Sequence, residues 1–81
     1  MTTYKTFRAA IAAMPACLVG DVLDDPVGIE SQAKRDAEHP IALLRDMVRT
    51  ELDLIEEGES EYTGRQAAAI HNYWLRLCAS L

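Results

Sequence analysis

Residues 40–81 read PIALLRDMVRTELDLIEEGESEYTGRQAAAIHNYWLRLCASL, and the fold is decided there. Ile41, Leu44, Val48, Glu51 and Ile55 recur at steps of three and four, and so do Ala67, Ile70, Trp74, Leu77 and Leu81. That spacing lays side chains along one stripe of a helix and is the seam pattern of coiled-coil-like bundles. Pro40 suits the first helical position, and Gly58 is the stop for a helix ending near Glu57. Glu59 to Tyr62 make the turn. Thr63 and Gln66 then fit a capping box, in which the threonine oxygen accepts the Gln66 amide and the glutamine side chain reaches back. Tyr62 and Ala67 occupy the flanking staple positions. The two stripes predict an antiparallel helical hairpin.

Upstream, Tyr4, Phe7, Ile11, Met14 and Leu18 repeat the same spacing. Thr2 or Thr3 can cap this first helix, which should end near Ala13 because Pro15 disfavours helix at Met14. Pro15 can open a second short helical piece through Leu18 to Leu23; an extended Ala16 to Leu23 is the alternative, but a lone strand has nowhere to pair. Asp24-Asp25-Pro26 reads as a break and cap with Pro26 at the first helical position. Residues 27–38 carry a narrow apolar stripe of Val27, Ile29, Ala33 and Ala37, which predicts a surface helix or a connector with the weakest packing in the chain.

The expected architecture is all-α: a small antiparallel bundle of three main helices plus a weak short one, in a single domain over residues 1–81. An 81-residue chain is near the lower size at which one core is self-sufficient, and its 49% apolar content argues against disorder. Cys17 and Cys78 match no metal or redox spacing and are expected to be reduced core thiols.

Residue type and position conflict at two places. On the 40–57 wheel, Leu43, Leu54, Met47, Leu44, Ile55, Val48, Ile41 and Leu52 share one half of the circumference. Glu51 falls in the middle of that half. An unpartnered buried carboxylate costs several kcal/mol, comparable with a small domain's whole stability. On the last helix, His71 lies inside a wide apolar arc containing Tyr73, Leu77, Ile70, Leu81, Trp74, Ala67 and Cys78. In an antiparallel hairpin turning between Glu57 and Gly64, residue numbers at one level sum to about 121 or 122. Val48 then meets Trp74, and Glu51 comes level with Ile70 and His71. A Glu51–His71 polar pair follows as a structural contact fixing register. A face turned to a partner is the second reading. Catalysis or metal binding would need a substrate pocket or further ligands, and none is signalled. His39, ahead of Pro40, is expected to cap that helix or stand exposed.

The formal charge of −5 disfavours nucleic acid as a direct ligand and suits a protein partner with a basic surface. Acidic clusters lie at Asp21, Asp24 and Asp25 and at Glu56, Glu57, Glu59 and Glu61, without the glycine and alternating oxygens of a calcium loop. The second cluster, with Tyr62 and Tyr73 as aromatic anchors, is the candidate partner-binding surface. No apolar run approaches the roughly 18–20 residues of a membrane span. Lys5 and Arg8 before Ala9 to Gly20 loosely mimic a secretory signal, but Pro15 interrupts the run, so a cytoplasmic location is expected.

No phosphate loop, paired-cysteine motif or nucleophile elbow is present, so neither enzyme activity nor a cofactor is expected. The expectation is a non-enzymatic protein-binding module, a small acidic inhibitor or regulator of a larger protein. The alternative is a structural homo-oligomer subunit whose C-terminal helix forms the dimer interface. Short, acidic, helical, cofactor-free chains are similar in general form to phage-encoded inhibitors of bacterial defence nucleases; the resemblance is one of type, and no motif carries it.

Overall fold

The structure, a computed structural model, describes residues 3–19, 26–36 and 39–81. Among these residues four α-helices follow in order: α1 (Phe7–Ala12), α2 (Pro26–Arg35), α3 (Pro40–Glu56) and α4 (Arg65–Ala79). A 3-10 turn at Ala16–Leu18 lies between α1 and α2. The all-α bundle is as expected. Its centre is α3, against which α1, α2 and α4 each pack.

The α3 seam departs from the expected register. Its buried residues are Ile41, Leu44, Val48 and Leu52. These steps follow the roughly 3.6-residue turn of a straight helix, whereas a heptad seam tracks about 3.5. Leu52 therefore takes the place expected of Glu51, and Glu51 slides to the edge of the stripe, half-buried. A similar rotation affects α4, where Ile70, Tyr73 and Leu77 are buried and Trp74 is displaced to the flank. On this flank the Arg49 guanidinium carbon lies 5.2 Å from the Trp74 ring centroid.

Both ends of the hairpin turn are set by glycines. Gly58 has φ 75°. The Glu59 amide donates to the Leu54 carbonyl at 2.9 Å and the Gly58 amide to that of Ile55 at 3.1 Å. This pair of bonds is a Schellman closure of α3. The capping box expected of Thr63 and Gln66 does not form. Gly64 is the N-cap, with φ 57° and ψ −121° and no side-chain cap bond. The Gln66 amide donates to the Thr63 carbonyl at 3.2 Å instead of to its hydroxyl. Gly64 has the dihedrals of the first central residue of a type II′ turn, which consumes the bond a capping threonine would have made.

The N-terminal stripe is buried as expected at Tyr4, Met14 and Leu18, with Phe7 and Ile11 packed against the core. The helix within it is shorter than its spacing implied. Thr6, not Thr2 or Thr3, is the cap, its Oγ1 accepting from the Ala9 amide at 3.1 Å. Ahead of that cap the Tyr4 amide donates to Ser80 Oγ at 2.8 Å, at the end of α4. After Pro15 only Ala16–Leu18 is helical and Val19 is extended; the rest of the piece expected to reach Leu23 lies outside the described residues, as do Asp21, Asp24, Asp25 and Ala37. α2 begins at Pro26 and is a surface helix, with Ala33 fully buried, Ile29 against the core and Val27 73% exposed. His39 caps α3 as expected, its Nδ1 accepting from the Ile41 amide at 3.1 Å. Cys17 and Cys78 are free thiols, both half-buried.

Candidate functional site

The carboxylates of the hairpin end lie close together in sequence because α3 finishes in acidic residues and the turn continues them. Glu56, Glu57, Glu59 and Glu61 are all exposed. Glu56 lies 3.8 Å from the Arg49 guanidinium, which Asp53 holds more closely at 3.0 Å. Glu57, Glu59 and Glu61 make no ion pair among the described residues. These three remain available to an external cation.

Beneath them, Glu51 anchors the turn. Ser60 Oγ donates to Glu51 Oε1 at 2.8 Å and accepts from the Tyr62 amide at 3.1 Å. The proposed Glu51–His71 pair is therefore corrected. Glu51 sits near the C-terminal end of α3 and reaches into the turn, while the rotation of α4 turns His71 outward. His71 is exposed and lies along Trp74, with centroids 6.4 Å apart and planes at 20°. Glu51 needs no buried counter-ion because it is only half-buried; a hydroxyl and water suffice.

Tyr62 and Tyr73 are corrected as well. Neither is an exposed anchor: Tyr62 is 6% and Tyr73 2% exposed. Each instead ties the N-terminal segment to the hairpin. Tyr73 Oη donates to the Ala10 carbonyl at 2.6 Å, and Tyr62 Oη donates to the Cys17 carbonyl at 2.7 Å. The two carbonyls lie near the ends of a six-residue helix and a 3-10 turn, where backbone acceptors lack helical partners. Desolvation by burial, and then the neighbouring Tyr4 ring 5.8 Å away, push the Tyr73 hydroxyl well above the usual phenol range.

Residue type gives little warning of the part Ser60 plays. Its signal was local: a serine two residues before a buried aromatic can receive that residue's amide and shape the turn. Ser80 repeats the device, accepting the Tyr4 amide and donating to the Arg76 carbonyl at 2.6 Å.

Among the described residues no cluster of three His, Cys, Asp or Glu side chains is placed to hold a metal ion. No helix among them is long and apolar enough to cross a membrane. Of the apolar arc, Ile70, Tyr73 and Leu77 are buried, Trp74 is half-buried, and Leu81 beyond the end of α4 is exposed. The outward positions of α4 include Ala68, Ala69, His71, Asn72, Arg76 and Ala79, all exposed. No protein-family model matches the chain, and no curated protein or solved structure shows significant similarity to it.

Proposed function

We propose that the chain is a non-enzymatic protein-binding module, a small acidic inhibitor or regulator that docks its hairpin end on a basic surface of a larger protein. The observation that carries this reading is the set Glu57, Glu59 and Glu61, exposed and without ion pairs among the described residues, on a turn braced by Ser60 and Glu51. A braced turn presents its charges without a large ordering cost on binding, and like-signed charge speeds encounter with an opposite surface. Proteins that handle nucleic acid are the partner class this surface fits, because lysines and arginines arranged for phosphates also accept carboxylates. An inhibitor of a defence nuclease, of the phage type, is the specific form of that idea.

The test is affinity capture from the host cell with the native chain and with Glu57→Lys plus Glu61→Lys. A partner held by native protein at low salt, released by added salt and lost with the double variant supports the reading. Retention of the same partner by the double variant at low salt rejects it. A stable dimer of the chain in light scattering, with nothing else retained, would favour the homo-oligomer alternative.

A further inference from the structure

The helices α1 and α2 both lean on α3 and leave between them a cleft of about 580 Å³. Its walls are apolar where Phe7 and Ile11 of α1 face Val27 of α2. Its polar groups are Arg8 on one side and Glu30, Ser31 and Lys34 on the other. From these residues we infer that the cleft is a binding site for a small amphiphilic anion, with the apolar body between Phe7, Ile11 and Val27 and the acid group between Arg8 and Lys34.

Charge selects an anion. The chain as a whole carries −5, yet the cleft holds two cations and one carboxylate. Lys34 reaches Glu30 only at 4.0 Å, with its side chain 77% exposed, so that pair is weak and separable. Arg8 is exposed and makes no ion pair among the described residues. Its planar guanidinium is suited to a carboxylate or sulfonate.

Size selects a small molecule. The cleft volume is within the roughly 300–1,000 Å³ typical of small-molecule sites. The shorter wall, the six residues of α1, runs only about 9 Å at 1.5 Å per residue. A docked helix presenting anchors from i to i+7 needs about 10.5 Å at the same rise. The wetted apolar surface is real: Val27 is 73% exposed, and Phe7 and Ile11 are only half-buried. Covering it returns hydrophobic free energy that the acid group alone would not supply. This site lies apart from the hairpin end and does not depend on the proposed docking role.

Anilinonaphthalene sulfonate and decanoate are the probes, titrated into the 81-residue chain with backbone amide shifts recorded by NMR. The expected result is saturable binding at one site, shifts centred on residues 7–12 and 27–34, and competition between the two probes. Arg8→Gln and Lys34→Gln should each weaken decanoate by about threefold to tenfold, while decanol, lacking the charge, is unaffected. Both side chains are exposed, and circular dichroism should show native helix in each variant. Non-saturable binding, shifts centred on α4, or equal decanoate affinity for native and Arg8→Gln/Lys34→Gln protein would overturn the assignment. So would shifts of the same residues on raising protein concentration alone, since a second copy would then fill the cleft.

Discussion

Ser60 Oγ lies 2.8 Å from Glu51 Oε1, and this contact joins the α3 stripe to the turn that follows it. The serine has one proton and gives it to the carboxylate, leaving its lone pairs for the Tyr62 amide 3.1 Å away. Tyr62 in turn donates its hydroxyl to the Cys17 carbonyl. A polar chain thus runs from the central helix through the hairpin turn to the N-terminal segment. Its first link explains why a glutamate stands beside an apolar seam.

Ser60→Ala should therefore destabilise the fold by about 1–2 kcal/mol, because it strips partners from both Glu51 and the Tyr62 amide. Glu51→Ala should be non-additive with it, with a coupling of about 0.5–1.5 kcal/mol in a double-mutant cycle measured by urea unfolding. His71→Ala should change stability by less than about 0.5 kcal/mol. A His71 effect as large as that of Ser60, coupled to Glu51, would restore the register pair and remove the turn brace.

Tyr73→Phe tests the joint between α1 and the hairpin. A six-residue helix has almost no stability of its own and must be held by tertiary contacts. Removing the hydroxyl leaves the Ala10 carbonyl beside a buried ring and should cost about 1–3 kcal/mol. The same side chain sets an alkaline limit. Its folded pKa is raised by burial, so its stabilising contribution is complete below the unfolded phenol value of 10.0 and is lost as pH rises beyond it. Native protein should lose stability above about pH 10 more steeply than Tyr73→Phe, measured by urea midpoints at pH 8 to 11. Parallel curves for the two proteins would show that this hydroxyl is not the group responsible.

The hairpin was legible in residues 40–81 because its signals are local: Pro40, Gly58 and a strong apolar stripe on each side. What was not legible was helix rotation. A shift from Glu51 to Leu52, or from Trp74 to Tyr73, moves a side chain by about 100° without altering the helical pattern. That rotation is decided by distant contacts, such as the Tyr73 hydroxyl on Ala10, which spacing alone does not encode. The same rotation sent His71 outward and carried Tyr73 into the core, whereas Tyr62, in the turn ahead of α4, is buried with its hydroxyl on the Cys17 carbonyl. The acidic end was easier to read, since charges following the close of a helix stay in solvent whatever the rotation. Serines 60 and 80 were missed because a single hydroxyl in a polar stretch resembles any other until its partner is placed beside it.

Gly64 separates a turn from a capping box. A Cβ added there meets nothing within 4 Å, so any penalty for Gly64→Ala comes from its φ of 57° and not from crowding. That backbone region is costly for residues with a Cβ, and the substitution should destabilise by about 1–3 kcal/mol. Thr63→Ala removes a hydroxyl with no cap bond in α4 and should cost less than about 0.5 kcal/mol. The reverse order in thermal or urea unfolding would mean that Thr63 caps the helix after all.

His39 does the work usually given to serine or aspartate, since its Nδ1 accepts the Ile41 amide at the head of the central helix. Pro40 has no amide to satisfy, so Ile41 carries the first exposed donor and the imidazole lone pair covers it. His39→Ala should cost about 0.5–2 kcal/mol by leaving that donor to water alone. His39→Asp should restore the cap and add a favourable interaction with the helix dipole, exceeding native stability by about 0.3–1 kcal/mol. Because α1, α2 and α4 all pack on α3, the gain should appear as a higher urea midpoint for the whole chain with an unchanged slope. An alanine variant as stable as native, with no gain from aspartate, would show that the imidazole contact contributes nothing to the fold.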